Sequence, residues 1–192
     1  MRDGITQVSE ENTTVYLMDN LEVWKGLYEL ELAGLEDTQE ISEMRKKIQA
    51  QIENIFWDDA NQRWRIIGNS NLYDQTEFYP DGVAQIYPLI YEFPVKEKKK
   101  QKILYDQFTE KFQWQKLNKK RNGFLWAMTG MAAAQMGDIN NLVELIGNYE
   151  TEYGENRKYP LYTGEAGWIC MECEKLYRLY ERKIKTGFIL CA

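Results

Sequence analysis

Histidine is missing from the chain, which removes mixed cysteine–histidine zinc sites from consideration. Cysteine is scarce, with only Cys170, Cys173 and Cys191. Cys170 and Cys173 form one C-x-x-C on a helical segment, and an all-cysteine tetrahedral site needs one thiol more than the chain has. A thioredoxin-like use of that motif requires a preceding βαβ pattern, which is lacking. The expectation is two buried or half-buried thiols, no metal and no cofactor. An odd count without a disulfide framework fits a reducing compartment. No run approaches the ~18 apolar residues of a membrane span, and the start, M-R-D-G-I-T-Q-V-S-E, has no apolar segment of the kind a secretory signal carries. These absences predict no membrane partner and a cytoplasmic protein, or a secreted or cell-surface one if the chain is part of something longer. Extended basic surface is also lacking. Net charge is −6, and the one Lys-rich run, Lys96 to Lys102, reads as the solvated start of an outer helix, so nucleic acid is not an expected partner.

What is present is a chain of 192 residues, room for one domain with a core of its own. Aromatics make up 14%, with 6 Trp and 13 Tyr. Such side chains either fill cores or offer the flat faces on which sugar rings stack, and position has to decide between the two.

The chain is organised around Tyr73 to Phe93, Y-D-Q-T-E-F-Y-P-D-G-V-A-Q-I-Y-P-L-I-Y-E-F. Pro80 suits a first helical position, Asp81 suits the positive end of the helix dipole, and Val83, Ile86, Tyr87 and Ile90 recur at helical steps. Pro88 is expected to kink that helix. Glu77, Tyr79, Asp81 and Gln85 then gather at the start of a helix whose body is core.

Six further helices are expected around it. Residues 1–12 read as a loose segment. A first helix from Thr13 carries Leu17, Leu21, Trp24, Tyr28 and Leu32 as its stripe, with Asp19, Glu22, Gly26 and Glu29 on another face, and an exit at Gly34 and Asp37. A second, from Thr38, buries Ile41, Met44, Ile48, Ile52 and Ile55. F-W-D-D-A-N-Q-R-W (56–64) reads as a short hairpin. A fourth helix spans 97–114. A fifth, from Gly123 to Met136, lacks charge and should be enclosed. Gly137 reads as its C′ residue and Asp138 as the N-cap of a sixth helix carrying Ile139, Leu142, Val143, Ile146 and Tyr149. A polar loop from Tyr153 to Gly164 leads to a seventh helix, Glu165 to Lys185, and an uncharged tail, 186–192.

Helices one, three, five and seven are thus the buried set. The last three start near 80, 123 and 164, steps of 43 and 41 residues, so the domain (13–185) reads as all-α, a stack of α-hairpins with one β-hairpin inserted. Alternate helices in such stacks run the same way, so their starts share a rim. That rim would carry Asp19, Asn20, Glu22, Glu77, Tyr79, Asp81, Gln85, Trp126, Tyr162, Glu165 and Trp168. Carboxylates among Trp and Tyr suit a polyhydroxylated ligand, and glycoside cleavage needs two carboxyl groups, one held protonated. The same acids also serve as helix caps, and Trp126 as core.

V-Y-L-M-D-N-L-E-V-W-K-G-L (15–27), F-W-D-D-A-N-Q-R-W (56–64), F-Y-P-D-G-V-A-Q-I-Y-P (78–88), W-A-M-T-G-M-A-A-A-Q-M-G-D (126–138) and T-G-E-A-G-W (163–168) resemble blocks of the bacterial six-hairpin glycosidases. The resemblance spans about 13–182. It implies an (α/α)6 toroid with the active site at its mouth, where Asp19, Glu22, Asp81 and Glu165 would be catalytic and Glu77, Tyr79, Gln85, Trp126, Tyr162 and Trp168 would bind substrate. A full toroid has twelve helices against the seven expected here, so the chain resembles the later part of the ring, with an inner face to be covered by a missing half or by a second copy in a homodimer. Two other readings stay open: a non-catalytic sugar-binding module that kept the fold, and an open α-solenoid that binds protein.

Overall fold

The computed structural model describes residues 4–34, 38–117, 125–155 and 161–189. The expected features at Asp37, Gly123, Cys191, residues 156–160 and the end of the tail lie outside these. Met1–Phe108 and Thr109–Ala192 form two compact units, and each is taken by itself. Among the described residues, the regular structure in both is helical apart from one two-stranded hairpin, so the all-α class holds.

In the first unit, helix α1 runs Leu17–Leu32. It begins later than Thr13 because the β-branched run Thr13–Val15 favours extended backbone. Tyr16 bridges Ile67 in antiparallel fashion, and the Leu17 amide donates to the Ile66 carbonyl (2.9 Å). Gly68 permits this close approach: a Cβ there would lie 2.5 Å from Ile55 and 2.6 Å from Val15. Leu17, Leu21 and Trp24 are buried as expected, whereas Leu32 is exposed. Each such buried side chain contributes about 1.5–3 kcal/mol. Asn20 is fully buried. Its Oδ1 accepts from the Thr6 amide (2.8 Å) and hydroxyl (2.7 Å), and its Nδ2 donates to the Thr6 and Tyr16 carbonyls. The segment expected to be loose is therefore pinned at Thr6, with Ile5 buried beside it.

Helix α2, Thr38–Phe56, packs on α1 and buries Ile48, Ile52 and Phe56; Ile41, Met44 and Ile55 are half-buried. Strands β1 (Trp57–Asp58) and β2 (Arg63–Trp64) form the expected hairpin, pairing Trp57 with Trp64 and Asp58 with Arg63.

The expected third helix is broken. Phe78–Gly82 is a wide π-type turn that contains a cis Tyr79–Pro80 bond, and only Tyr87–Ile90 (α3) is regular α-helix beyond it. Pro88 has no N–H and crowds the turn before it, so Gln85 and Ile86 bond back three residues, to Gly82 and Val83. The core assignment holds: Val83, Ala84, Ile86, Tyr87, Leu89 and Ile90 are all buried. Helix α4 is Lys98–Phe112.

In the second unit, α5 is Thr129–Met136, shorter than expected, because Trp126 takes a left-handed backbone (φ 57°) that a helix cannot continue through. Its small and apolar residues are enclosed from Thr129 to Ala134. Gly137 (φ 68°) closes it and Asp138 caps α6, Ile139–Tyr149, by accepting from the Asn141 amide, both as expected. Within α6 the inward face is Ile139, Leu142, Leu145 and Tyr149; Val143 points out. Helix α7, Thr163–Ile189, packs on α5 and α6. Its assignment to the buried set is not met. Glu172 is its one enclosed residue among those described, and Met171, Tyr177, Tyr180 and Ile184 are exposed. Cys170 and Cys173 are exposed too, against the expectation of buried or half-buried thiols, because they lie on the same uncovered sides of the helix.

Candidate functional site

The late start of α1 places Asp19 in its first turn and Glu22 one turn on, three residues apart and both at the surface. Facing them is the end of α3. Tyr91 caps that helix, 7% exposed, and its hydroxyl donates to Glu22 Oε1 at 2.8 Å. Tyr87, one turn earlier and 2% exposed, lies within electrostatic reach of Tyr79, Glu22 and Asp19. Burial first, then for Tyr87 the Tyr79 phenol and the neighbouring acids and for Tyr91 the Glu22 carboxylate, push both phenols far above their ordinary range. They stay neutral donors at any physiological pH. Lys25 holds the two helices in register, pairing with Glu29 at 2.8 Å and Glu92 at 2.7 Å.

Of the expected residues in this unit, the fold brings together Asp19, Glu22 and Tyr79. Sequence reasoning assigned Tyr87 to the core and gave Tyr91 no role. A Tyr pair four residues apart beside an acid-bearing helix is the signal that could have found them. Asp81 has other neighbours. It is 8% exposed, its Oδ1 accepts from the Asp74 amide (2.9 Å), and it lines a groove of about 370 Å³ with Tyr16, Tyr73 and Pro80. Arg63 lies 4.2 Å from the Tyr73 ring centre, and burial followed by Asp81 and Asp74 raises the Tyr73 phenol against Arg63. Glu77 is exposed at the entry to the π-type turn, its carbonyl accepting from Gly82. Gln85 is committed elsewhere: its amide binds both backbone groups of Trp64 and the carbonyl of Asp81.

In the second unit the acids converge differently. Glu165, in the first turn of α7, accepts through Oε2 from the Ala127 amide and from the Tyr149 hydroxyl, both at 2.8 Å. Tyr149 packs on Tyr153 with ring centres 5.3 Å apart. The left-handed backbone of Trp126 precedes the amide that Glu165 receives, which gives that residue a positional role. Tyr162 is half-exposed at the head of α7 and Trp168 is half-buried one turn along.

Two turns beyond Glu165 on the same helix face is Glu172, which sequence reasoning missed. It has no exposure, and neither carboxyl oxygen has a hydrogen-bond partner. A Cβ at Gly130 would lie 2.5 Å from its Cδ, so the glycine makes its space. Burial above all, then the charge of Glu165, push this carboxyl well above the usual carboxylate range, and the nearby Met131 amide, which is outside hydrogen-bond geometry, offsets them only in part. A carboxyl group so enclosed is held protonated.

The described residues include no cluster of three or more metal-ligating side chains, and no helix among them is long and apolar enough to cross a membrane. What the unit-one cluster offers is a pair of surface carboxylates backed by neutral phenol donors, able to accept and donate hydrogen bonds around a hydroxyl-rich ligand. Compared with protein-family models, curated proteins and solved structures, the chain matches none.

Proposed function

We propose that the chain is a carbohydrate-active module of the six-hairpin glycosidase kind, its helices belonging to an (α/α)6 toroid, and that it handles an oligo- or polysaccharide at the cluster of Asp19, Glu22, Tyr79, Tyr87 and Tyr91. The observation that carries this reading is the 2.8 Å bond from Tyr91 to Glu22, with Asp19 one turn away. It brings two carboxyl groups and buried phenols together near the start of α1, the kind of place where the resemblance implies a site. In hydrolysis one of the two acids protonates the leaving oxygen and the other activates water or attacks the anomeric carbon, depending on their separation across the bound sugar. The phenols orient the ring hydroxyls.

The test is a panel of neutral and acidic polysaccharides assayed for new reducing ends. Glu22→Gln and Asp19→Asn should each lower turnover by about 10²–10⁴-fold while leaving the melting temperature within a few degrees. Undiminished, wild-type turnover in both variants would remove the cluster from the chemistry. A second reading, a sugar-binding module without turnover, is favoured by the engagement of Glu22 Oε1 with Tyr91. It requires binding without new reducing ends, undiminished in Asp19→Asn.

A further inference from the structure

A cavity of about 440 Å³ opens where the end of α2, the hairpin and the segment leading into α4 meet. Its size lies within the range of small-ligand sites, and it takes no part in the acid–tyrosine cluster. Its back wall is Trp64, 3% exposed and fixed on every polar atom. The Trp64 amide donates to Gln85 Oε1 (2.9 Å), its carbonyl accepts from Gln85 Nε2 (3.0 Å), and its indole donates to Gln101 Oε1 (2.9 Å). Gln101 in turn donates to the Gln85 carbonyl at 2.7 Å. That network explains why Gln85 is buried, and it makes the wall rigid before any ligand arrives.

Trp57 stands on this wall. As the cross-strand partner of Trp64 it meets that ring edge-on, 5.1 Å between centres at 69°, and its indole N–H is turned to Asp59 (3.2 Å). Such a fixed, half-buried indole is a low-entropy platform, with the Lys100 ammonium 5.6 Å from its ring centre, over one face. The polar groups around it are nearly balanced in charge. Lys96 pairs with Glu53 and Lys100 with Asp59, which leaves Glu97 as the excess, so an anionic ligand meets no net attraction. Glu53 adds the informative atom. Its Oε2 holds Lys96, but its Oε1 is buried without a hydrogen-bond partner, an acceptor that costs free energy until a donor reaches it. Lys96, the partner of Oε2, is itself 79% exposed.

A ligand suited to these walls has an apolar face for an indole, hydroxyl donors for a carboxylate, and no charge. We propose that this cavity is a binding subsite for one pyranose ring of a neutral saccharide, stacked on Trp57 and donating a hydroxyl to Glu53 once Lys96 turns aside. The subsite does not require the acid–tyrosine cluster to be catalytic.

The experiment is a titration of the full chain, labelled with ¹⁵N-tryptophan, with cello-, malto-, xylo- and mannohexaose at up to about 10 mM, followed at the Trp57 indole resonance. At least one hexasaccharide should shift that resonance. Trp57→Ala, followed at the indole resonance of Trp64 on the same cavity wall, should weaken its binding at least tenfold, about 1.4 kcal/mol. Glu53→Gln provides a second variant that leaves the indole wall in place, and it should weaken binding too. A Trp57 indole indifferent to all four sugars overturns the subsite, as does undiminished binding in both variants. Release of reducing ends from a glycan with a silent Trp57 indole sinks the subsite and leaves the acid–tyrosine reading standing. A shifted indole in a protein without turnover does the reverse.

Discussion

Replacing Glu172 by Gln should make the protein more stable at neutral pH and change the way its stability depends on pH. The side chain is fully enclosed against Gly130, both oxygens unpartnered, and burial holds its carboxyl well above the ordinary range. In the unfolded chain the same group ionises near pH 4.3. Between that pH and the higher pH at which the folded group releases its proton, the folded state binds more protons than the unfolded one, so stability falls as pH rises. The contribution is complete below the unfolded value and is lost at about 1.4 kcal/mol for each pH unit above it. Gln keeps the volume and carries no proton to lose. Near pH 4 the two proteins should unfold within about 1 kcal/mol of each other, as expected for a near-isosteric polar swap. Above that the variant should gain on the wild type by about 1.4 kcal/mol per unit. Urea denaturation of both proteins from pH 4.5 to 8.5 reads the difference directly, because every other titrating group is common to both. Parallel stability curves would refute the reasoning, and so would a variant less stable than the wild type at pH 8.

Gly130→Ala should cost about 1–3 kcal/mol from overpacking, since its Cβ would lie 2.5 Å from Glu172 Cδ and 2.7 Å from Leu145; an unchanged thermal midpoint would mean that α5 and α7 can separate freely. Gln85→Met should cost roughly 2 kcal/mol or more by leaving the buried Trp64 amide and carbonyl without partners, and should broaden the Trp64 indole resonance; a sharp, unshifted indole would show that the hairpin needs no such clamp. Tyr91→Phe should cost about 1 kcal/mol with the ring contacts kept, and reduce any glycan turnover; full turnover would leave the phenol structural. Asp81→Asn should preserve turnover, because Asp81 lines a separate groove and binds the Asp74 amide; abolished turnover with sugar binding intact would return Asp81 to the catalytic set.

The parts of the fold legible in the sequence were those set by short-range chemistry. Helical periodicity located α1, α2, α4 and α6, and the Gly137–Asp138 pair marked a stop and a start because a left-handed glycine and a capping carboxylate each act on their own helix end. The turn-rich D-D-A-N between two aromatic runs located the hairpin. Misplaced features depend on distant partners. The start of α1 moved because residues 15–17 pair with 66–68. The Tyr91–Glu22 bond joins residues 69 apart, beyond the reach of any periodicity. Helix α7 carries Met171, Tyr177, Tyr180 and Ile184 at spacings that read as core whether or not anything covers them, and the two cysteines were misjudged with it. Glu172 was overlooked because a glutamate is nearly always outside; only the glycine opposite shows why this one is not.

Asn20 gives the N-terminal segment an unusual mechanical status. One side-chain amide fastens Thr6 to the first turn of α1 by three hydrogen bonds, and its neighbours in sequence are Asp19 and the core residue Leu21. A pull applied upstream of Thr6, by a fused tag, a surface linkage or a passing protease, is therefore delivered to the helix end that carries Asp19 and Glu22. The Thr6 amide becomes a strain gauge for that end: its exchange with heavy water should be no faster than the opening of α1 itself, and a tag that loosens one will loosen the other.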